Sequence, residues 1–410
     1  MTRPMEGIRI LEVAQFTYVP SSGAVLADWG ADVIKIEHAE HGDAQRGLIR
    51  VLGLDVAGEG VNFFPIMEGP NRGKRSIGLT LGSPEAAEVL HELVRRADVF
   101  VTNFLPEARR NAGIDIDDIR AVNPDIIYVR GSGFGAKGPE QDAGGYDMTG
   151  FWSRSGSAAA LTAAESERLI GMPTGAFGDN IGGMTIAGGI AAALLKRERT
   201  GETSVVDVSL LSVGAWATQY GSNLAMVLGC ELPPAPQTVP GAPRNPTTGS
   251  YRTKDGRWIV FNMLQLGKYW PEVCRVLEHP EWVSDPRFAD HEQLFQNGAA
   301  AADLIQEVLL TKTYAEWTPI FANMDGQWAG VQTFWELSQD ESLRANGLVA
   351  QVVDADGHPR ELIQSPVLFD QDPPTITRAP QFAEHTDEIL GELGLSDEQI
   401  LELKIQGIVT

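Results

Sequence analysis

The sequence contains little cysteine and no spacing that is typical of a metal site. Among its 410 residues only Cys230 and Cys274 are cysteines, and neither belongs to a C-x-x-C pair or lies beside clustered histidines. The seven histidines show no metal-binding pattern. We therefore predict no disulfide scaffold and no metal site. The two thiols are expected to be reduced and structural, as is usual in the cytoplasm.

Long hydrophobic segments are also missing. The most apolar helix candidate, residues 181–195, is rich in Gly and Ala and shorter than the ~20 residues that span a bilayer. The start of the chain, MTRPMEGIRILEVA, has no basic segment followed by a long apolar stretch and a cleavage site. No secretory signal is predicted, and we expect a cytoplasmic protein without a membrane segment.

Basic residues are too few to balance the acidic ones. The chain has 32 Lys and Arg against 55 Asp and Glu, which gives a formal net charge of −23. Such an acidic surface argues against nucleic acid or an anionic membrane as a partner. A ligand that carries phosphates would need a local cluster of Arg, Lys and backbone N–H groups.

Two common motifs are absent from the sequence. The first strand candidate is followed by AQFTYVPSSG, which is not the G-x-G-x-x-G turn that cradles a dinucleotide pyrophosphate. We therefore expect no NAD or FAD in the usual mode. No G-x-S-x-G nucleophile elbow occurs either, so nothing in the sequence supports a serine hydrolase.

The sequence does contain a regular alternation of strand and helix patterns. Short apolar, β-branched runs alternate with helix candidates, and they lie at 8–13, 33–37, 99–102, 126–129 and 205–210. This alternation predicts an α/β fold with a mostly parallel, doubly wound, Rossmann-like sheet. A chain that is 43% apolar has enough hydrophobic residues to fill at least one substantial core.

The length of the chain predicts more than one folding unit. A Pro-dense segment, 232–248, is typical of a linker, and Asp255-Gly256 beyond it indicates a β-hairpin. We predict a large α/β domain over 1–224 and a smaller α+β domain over 225–335. A C-terminal segment, 336–410, is expected to return to the large domain.

Two clusters of cations are candidate phosphate sites. The first comprises Arg72, Lys74 and Arg75, and the second comprises Arg109 and Arg110, just after Asn103 and Phe104. Arg and Lys side chains suit phosphate oxygens, and open α/β sheets bind ligands at strand ends. Charged runs are also typical of a solvated surface, and the pattern alone leaves both interpretations open.

Asp179 lies directly before the Gly/Ala-rich helix candidate, in the segment GDNIGGM. An aspartate at this place is typical of a helix N-cap, whose carboxylate accepts hydrogen bonds from unpaired backbone N–H groups. It is also a possible nucleophile, because N–H groups at a helix N-terminus stabilise an oxyanion and Gly182 and Gly183 leave room for a bulky substrate. The residues alone favour the helix cap.

Seven segments of the chain resemble, in the correct order, the class III CoA-transferases. They are GIRILEVA…VLADWGADVIKIE…GD, NRGKRSIGLTL, ADVFVTNFLPEARRNAG, NPDIIYVRGSGFGAKGP, GGYDM, GDNIGGM…GGIAAALLKRERTG and RAPQFAEHTDEILGELG. This CaiB/BaiF family includes formyl-CoA transferase, carnitine CoA-transferase and α-methylacyl-CoA racemase. The resemblance covers nearly the whole chain and implies that Asp179 is the catalytic nucleophile, which reverses the preference for a helix cap.

The resemblance implies an enzyme that moves CoA between an acyl-CoA thioester and a free carboxylic acid. Asp179 would attack the thioester and form a mixed anhydride. Coenzyme A would then be a substrate, and no permanently bound cofactor is expected. The family fold implies a homodimer of two interlocked ring-like chains, with the active site between the large domain of one and the small domain of the other.

Three differences from the formyl-CoA enzyme concern the substrate and CoA sites. Its glutamine in the first strand-to-helix loop corresponds to Thr17, which is followed by Tyr18, and its tetraglycine loop has no counterpart. An arginine that commonly follows the VIKIE glutamate is His38 here. Formate and oxalate are therefore not the expected substrates. The residues expected to hold CoA are His38, Arg72, Lys74, Arg75, Asn103, Phe104 and Arg109.

The racemase branch of the family uses a histidine in its G-[HY]-D segment as an acid/base partner of the aspartate. Tyr146 occupies that position here, and a tyrosine with a pKa of about 10 is a poor proton relay at neutral pH. We assign Tyr146 to the acyl pocket, with Thr17, Tyr18, Gly182 and Gly183. Transfer ranks above two alternatives, racemisation and CoA binding without activity.

Overall fold

The structure is a computed structural model, and it describes residues 3–48, 50–51, 54–55, 63–163, 166–232 and 241–410. In this part of the chain the strands are β1 (Arg9–Val13), β2 (Asp32–Glu37), β3 (Arg50–Val51), β4 (Leu54–Asp55), β5 (Arg75–Gly78), β6 (Val99–Thr102), β7 (Ile127–Ser132), β8 (Val205–Ser209), β9 (Thr248–Arg252), β10 (Trp258–Asn262), β11 (Trp328–Gly330), β12 (Val349–Val353) and β13 (Pro359–Ile363).

The α-helices of the same residues are α1 (Tyr18–Asp28), α2 (Pro65–Asn71), α3 (Pro84–Arg95), α4 (Pro106–Asn111), α5 (Ile116–Val122), α6 (Ser157–Leu161), α7 (Phe177–Thr200), α8 (Leu210–Ala217), α9 (Gln219–Leu228), α10 (Leu266–Val276), α11 (His291–Gln296), α12 (Gly298–Leu309), α13 (Tyr314–Phe321), α14 (Phe334–Ser338), α15 (Glu341–Ala345), α16 (Thr386–Glu392) and α17 (Asp397–Ile405). A π-helical segment, Asp147–Ser153, precedes α6.

The central sheet has six parallel strands in the order β5-β2-β1-β6-β7-β8. The chain leaves β1 toward β2 on one side and later returns to β6 on the other side, which makes the sheet doubly wound. The predicted parallel α/β sheet is therefore confirmed. Additional sheets of the described residues are antiparallel: β11-β10-β9, β12-β13 and β3-β4.

Alternating strand residues face two separate hydrophobic cores, one on each face of the sheet. Ile10 and Val33 belong to the core that α1 and α7 cover. Leu11 and Ile34, their chain neighbours, belong to the core that α3, α5, α16 and α17 cover. Because successive side chains of a strand point to opposite faces, strands covered on both sides have an almost continuously apolar sequence.

Several local signals predicted the ends of elements correctly. The Ser83 hydroxyl accepts a hydrogen bond from the Ala86 N–H at 3.1 Å, and α3 begins at Pro84. Gly201 follows α7 with a φ of 71°, a left-handed conformation that suits glycine. The Asp255-Gly256 turn joins β9 and β10 as an antiparallel hairpin.

The chain divides into two compact units. One contains Met1–Val227 and Glu341–Thr410, and the other contains Leu228–Asp340. Considered by itself, the second unit is built from the β11-β10-β9 sheet and α10–α14, around a core that includes Trp270, Trp317 and Phe321. Residues 233–240 of the Pro-rich segment lie outside the described residues. No helix of the described residues is long and apolar enough to cross a membrane.

A β-hairpin of the first unit brings together three side chains that can bind a metal. The ligand atoms of Asp354, Asp356 and His358 lie within 4.8 Å of one another between β12 and β13, a grouping that the histidine spacing did not predict. The Asp354 carboxylate already accepts hydrogen bonds from the backbone N–H groups of Asp356 and His358 and pairs with Arg360. These contacts account for the conformation of the turn.

Helix α7 packs closely against α1 because it has glycines where the two helices meet. A Cβ atom on Gly182 would lie 2.3 Å from Cε2 of Tyr18, and a Cβ atom on Gly183 would lie 2.4 Å from Cβ of Ser21. Real Cβ atoms do not approach other atoms so closely. The glycines therefore fix how near the two helices come, and with it the position of the side chains at their N-termini.

We expect Gly183→Ala to lower the free energy of unfolding by about 1–3 kcal/mol, because an added methyl group overpacks a filled interface. Gly391→Ala is the matched control, since Gly391 lies in α16 with open space around its Cβ position. There alanine should raise the free energy of unfolding by up to about 1 kcal/mol. Denaturant unfolding of both variants measures the difference, and equal effects would contradict the close packing of α1 and α7.

Candidate active site

The candidate site lies at the carboxyl ends of β1 and β6, where the sheet changes direction. Loops diverge at such a switch point and leave a crevice that binds ligands in open α/β sheets. Asn103, directly after β6, accepts a hydrogen bond from the Gln15 N–H at 3.1 Å and donates one to the Gln15 carbonyl at 2.7 Å. This pair ties together the two loops that border the crevice.

A cavity of about 530 Å³ occupies the crevice. It is lined by six of the residues expected from the sequence, namely Tyr18, Asn103, Phe104, Arg109, Tyr146 and Asp179. Lining residues that the sequence did not single out include Gln15, Phe16, Leu105, Arg130, Asp207 and Leu210. The structure thus brings residues from six separate segments of the chain to one place, and Asp179 is among them.

Asp179 is the third residue of α7, inside the first turn of the helix. The residue before the helix is Ala176, with a φ of 61°, so the expectation that Asp179 precedes the helix as its N-cap is wrong. The carboxylate is instead directed at the cavity. Burial, and next the negative charge of Asp147, raise the pKa of Asp179 from 3.8 to about 7.

Asp147 lies close to the start of α7. Its carboxylate faces the backbone N–H groups of Met148, Ala176 and Phe177, which favour its charged form. Burial is the larger effect and raises the pKa of Asp147 above its ordinary value. The N-terminus of α7 therefore combines two partly desolvated carboxyl groups, and only Asp179 lines the cavity.

Tyr18 is the first residue of α1 and is only 6% exposed. Its ring lies against Gly182, and its hydroxyl group has no hydrogen-bond partner within the described residues. Burial, and next the charge of Asp179, raise the pKa of Tyr18 far above its ordinary value. The phenol therefore keeps its proton near neutral pH.

Tyr146 lies at the open side of the cavity, with 63% of its surface exposed. Its ring contacts Phe16 edge-on, with 5.5 Å between the ring centroids. Phe16 has a φ of 63°, which is unusual for a residue with a side chain, and its N–H donates to Asp43 at 3.0 Å. Of these two aromatic residues, Phe16 is held in place by its backbone hydrogen bond, and Tyr146 is accessible to solvent.

Three residues assigned to the substrate pocket from the sequence do not line the cavity. Gly182 and Gly183 are buried against α1, where Tyr18 and Ser21 fill the space beside them, so they leave no room for a substrate. The Thr17 hydroxyl accepts a hydrogen bond from the Gln45 side chain at 3.0 Å. These three assignments are corrected, because the missing Cβ atoms and the hydroxyl serve contacts within the protein.

Arg109 lines the cavity from α4 and is held in place from behind. Its Nε donates to Asp115 at 3.1 Å, and its Nη1 donates to the Phe104 carbonyl at 2.9 Å. Sequence reasoning missed a second arginine of the cavity, Arg130, which forms a two-pronged ion pair with Asp207 at 2.7 and 3.0 Å. Its position at the end of β7 was the signal that could have identified it.

The first cation cluster has internal partners and does not line the cavity. Arg72 pairs with Asp28 at 2.6 Å, and Lys74 pairs with Glu12 at 2.7 Å with no exposed side-chain surface. Arg75, the most exposed of the three, contacts three carboxylates, those of Asp32, Glu388 and Glu392. A buried cation cannot reach a phosphate, so the assignment of Arg72 and Lys74 to CoA binding is corrected. The acidic partners of Arg75 also disfavour a phosphate beside it.

His38 borders a second cavity, of about 190 Å³, next to the first. The two cavities share Gln15 and Phe104 as lining residues. His38 is exposed, and its ring stacks on that of His41, with 4.8 Å between the centroids. The smaller cavity thus offers flat ring surfaces at one end of the crevice.

The chain is similar to known proteins along its whole length. The family described as CoA-transferase family III matches residues 5–386. (R)-2-hydroxy-4-methylpentanoate CoA-transferase from Clostridioides difficile is 31% identical over 409 residues, covering 99% of this chain and 99% of the relative. Cinnamoyl-CoA:phenyllactate CoA-transferase from Clostridium sporogenes is 30% identical over 412 residues, covering 98% of this chain and 96% of the relative.

A crystal structure of a CaiB/BaiF family protein from Brucella suis has a similar fold. The TM-score is 0.78 at 26% sequence identity, and the match covers 96% of this chain and all of that chain. The family, the relatives and this structure agree with the resemblance found in the ordered sequence segments. The chain therefore belongs to CoA-transferase family III.

Proposed function

We propose that this protein moves CoA from an acyl-CoA thioester to a free carboxylic acid through a mixed anhydride on Asp179. The observation that carries the proposal is the position of Asp179 in the first turn of α7, in the wall of a large cavity. A carboxylate there is partly desolvated, which strengthens it as a nucleophile. Two relatives named as CoA-transferases support the same chemistry.

The reaction divides into acylation of the enzyme and exchange of the acid. A carboxylate oxygen of Asp179 attacks the thioester carbon, the carbon–sulfur bond breaks, and CoA leaves as a thiolate. The acceptor carboxylate then attacks the carboxyl carbon of Asp179 and displaces the donor acid as a carboxylate. The thiolate finally attacks the acyl carbon of the bound acceptor, which forms the new thioester and releases the Asp179 carboxylate. Exchange of one thioester for another is nearly thermoneutral, so the main tasks of the protein are to stabilise oxyanions and to exclude water from the anhydride.

Coenzyme A is the proposed substrate along the crevice, and no permanently bound cofactor is needed for this chemistry. Arg109, fixed by Asp115 and by a backbone carbonyl, is the proposed phosphate contact. His38 and Phe104 border the smaller cavity, and their rings suit the base at the nucleotide end. Asn103 then orders the loop between the two cavities.

The acid is proposed to carry an apolar or aromatic side chain. Six large residues of the cavity are aromatic or aliphatic, namely Phe16, Tyr18, Phe104, Leu105, Tyr146 and Leu210. Such a lining favours an acid larger than formate or oxalate. The relatives are named for 2-hydroxy-4-methylpentanoate and for phenyllactate, which are acids of this kind.

One observation favours a second candidate, proton exchange at the α-carbon of an acyl-CoA. A carboxyl group with a pKa of about 7, as at Asp179, is well suited to general acid–base catalysis near neutral pH. Tyr146 occupies the position of the partner acid and is mostly exposed, which disfavours this reaction. Solvent deuterium entering the α-carbon without an acceptor acid would identify it.

A homodimer of interlocked chains is part of the proposal. Helix α9 has no buried residue, and four large apolar side chains in this region are at least 70% exposed, namely Trp216, Tyr220, Met226 and Val227. Several exposed large apolar side chains within one short stretch of chain are typical of an interface. We propose that a second copy of the chain covers these apolar side chains.

Cys230 and Cys274 are free thiols, which suits the expected cytoplasmic location.

Asp179→Asn should reduce transfer by at least about a thousandfold, because an amide cannot form the anhydride. CoA binding should persist, since an amide of the same shape keeps the cavity. Asp117→Asn is the control, because Asp117 lies in the first turn of another helix, α5, and is exposed. Acyl exchange and calorimetric CoA titration measure both effects. Normal turnover by Asp179→Asn would refute the mechanism.

The rate of transfer should rise with pH through about 7, because attack requires the ionised form of Asp179.

The stability of the folded state should change with pH in the opposite direction. The folded state binds more protons at Asp179 than the unfolded chain between pH 4 and pH 7, so this group contributes stability that is lost as pH rises. Thermal unfolding of wild type and Asp179→Asn should therefore coincide near pH 4, and the variant should be more stable at pH 8.

Interlocked chains should not separate into folded monomers on dilution. Sedimentation velocity over a wide range of concentrations should show one species of twice the chain mass. Tyr220→Glu, which places a charge on the exposed face of α9, should reduce dimer formation and folded protein together. A folded monomer at low concentration would contradict the interlocked arrangement.

A further inference from the structure

The hydroxyl group of Tyr18 is a buried polar group that nothing in the described part of the chain satisfies. The residue is 6% exposed, and its hydroxyl has no hydrogen-bond partner. Most buried polar atoms in proteins are paired, so an exception needs a reason. Tyr128 shows the ordinary situation in the same unit, because its buried hydroxyl donates to the Ile114 carbonyl at 2.7 Å.

Packing does not explain the hydroxyl group. The ring of Tyr18 fills the space beside Gly182 of α7 and Gly131 of β7, where Cβ atoms would lie 2.3 and 3.0 Å from ring carbons. A phenylalanine ring would fill the same space without burying an unpaired O–H group. Tyr18 lines the same cavity as Asp179, so a molecule bound there can supply an acceptor.

The structure holds the Tyr18 ring in a fixed place. The two glycines confine it between a helix and a strand. The residue two positions before it, Phe16, is fixed by a hydrogen bond from its N–H to Asp43, which in turn pairs with the buried Lys35 at 2.9 Å. A donor that is already in position does not need to reorganise during the reaction, which is the property that makes such donors effective.

We propose that the Tyr18 O–H group is a catalytic hydrogen-bond donor to the oxygen that becomes negative when Asp179 attacks the acyl carbon. This inference rests on the proposed transferase function. The new bond joins an Asp179 oxygen to the thioester carbon, the carbonyl π electrons move to the carbonyl oxygen, and Tyr18 stabilises that oxyanion. When the carbonyl re-forms, the carbon–sulfur bond breaks and its electrons leave with the thiolate. Tyr18 keeps its proton throughout.

The electrostatic surroundings agree with a donor role and not with proton transfer. Burial and the nearby charge of Asp179 raise the pKa of Tyr18 well above that of an exposed tyrosine. The phenol therefore remains protonated and cannot act as a base near neutral pH. Its hydroxyl also makes no hydrogen bond to Asp179 in the structure, so the carboxylate keeps its full nucleophilic character.

Two tyrosine-to-phenylalanine variants, compared with wild type, test this role. Tyr18→Phe should lower kcat by about a hundredfold or more, the usual effect of losing one oxyanion donor, with little change in KM for the acyl-CoA. Its unfolding midpoint should be unchanged or higher, because the lost hydroxyl had no partner. Tyr128→Phe should show the opposite pattern, a lower unfolding midpoint with an unchanged kcat.

Trapping with hydroxylamine locates the affected step. With wild type, hydroxylamine should capture the acylated Asp179, and with Tyr18→Phe the rate of capture should fall with kcat. A wild-type kcat in Tyr18→Phe would overturn the proposal, as would a change confined to KM. If wild type exchanges no acid from a broad panel and forms no trapped species, the transferase function itself fails, and the Tyr18 role fails with it.

Discussion

The close contact between α1 and α7 is the constraint on which the site depends. Gly182 and Gly183 let the helices approach until the side chains of Tyr18 and Ser21 touch the α7 backbone. Each helix begins at the edge of the crevice, one with Tyr18 and the other with the turn that contains Asp179. The separation of these two groups is therefore set by helix packing, which is stiffer than a loop.

The same region carries an electrostatic cost. Asp179 and Asp147 are two carboxyl groups that lie near each other and are partly removed from water, and the pKa of each is raised. Such an arrangement destabilises a folded protein at neutral pH. Elsewhere in the first unit the buried charges of Lys35, Lys74 and Glu12 are paired with one another. Two neighbouring carboxyl groups with raised pKa values, one of them in the wall of a cavity, are typical of a functional site.

The sequence predicted much of the fold and brought attention to Asp179, which lines the cavity, and the reasons for its failures are physical. Strand periodicity and β-branched runs are local signals, so β2 and β6 were found almost to the residue. The proposed chemical role of Asp179 was inferred from the order of the family segments in the sequence. Its place in the first turn of α7 could be seen only once the structure showed that the helix begins at Phe177. Arg72 and Lys74 were misassigned because their partners, Asp28 and Glu12, are 44 and 62 positions away. No local pattern distinguishes a cation that binds a phosphate from one that is neutralised inside the protein.

The two sides of the cavity differ in how freely they can change. On the helix side, any enlargement at Gly182 collides with a ring, so substitutions there alter the packing of the whole unit. Elsewhere in the cavity wall Leu105 and Tyr146 are more than 40% exposed, and substitutions at such positions usually have small effects on stability. Substitutions during evolution can therefore change which acid the cavity accepts without moving the side chains on the helix side. We expect proteins with such an asymmetric cavity to differ in the acids that they accept while they share the same chemistry.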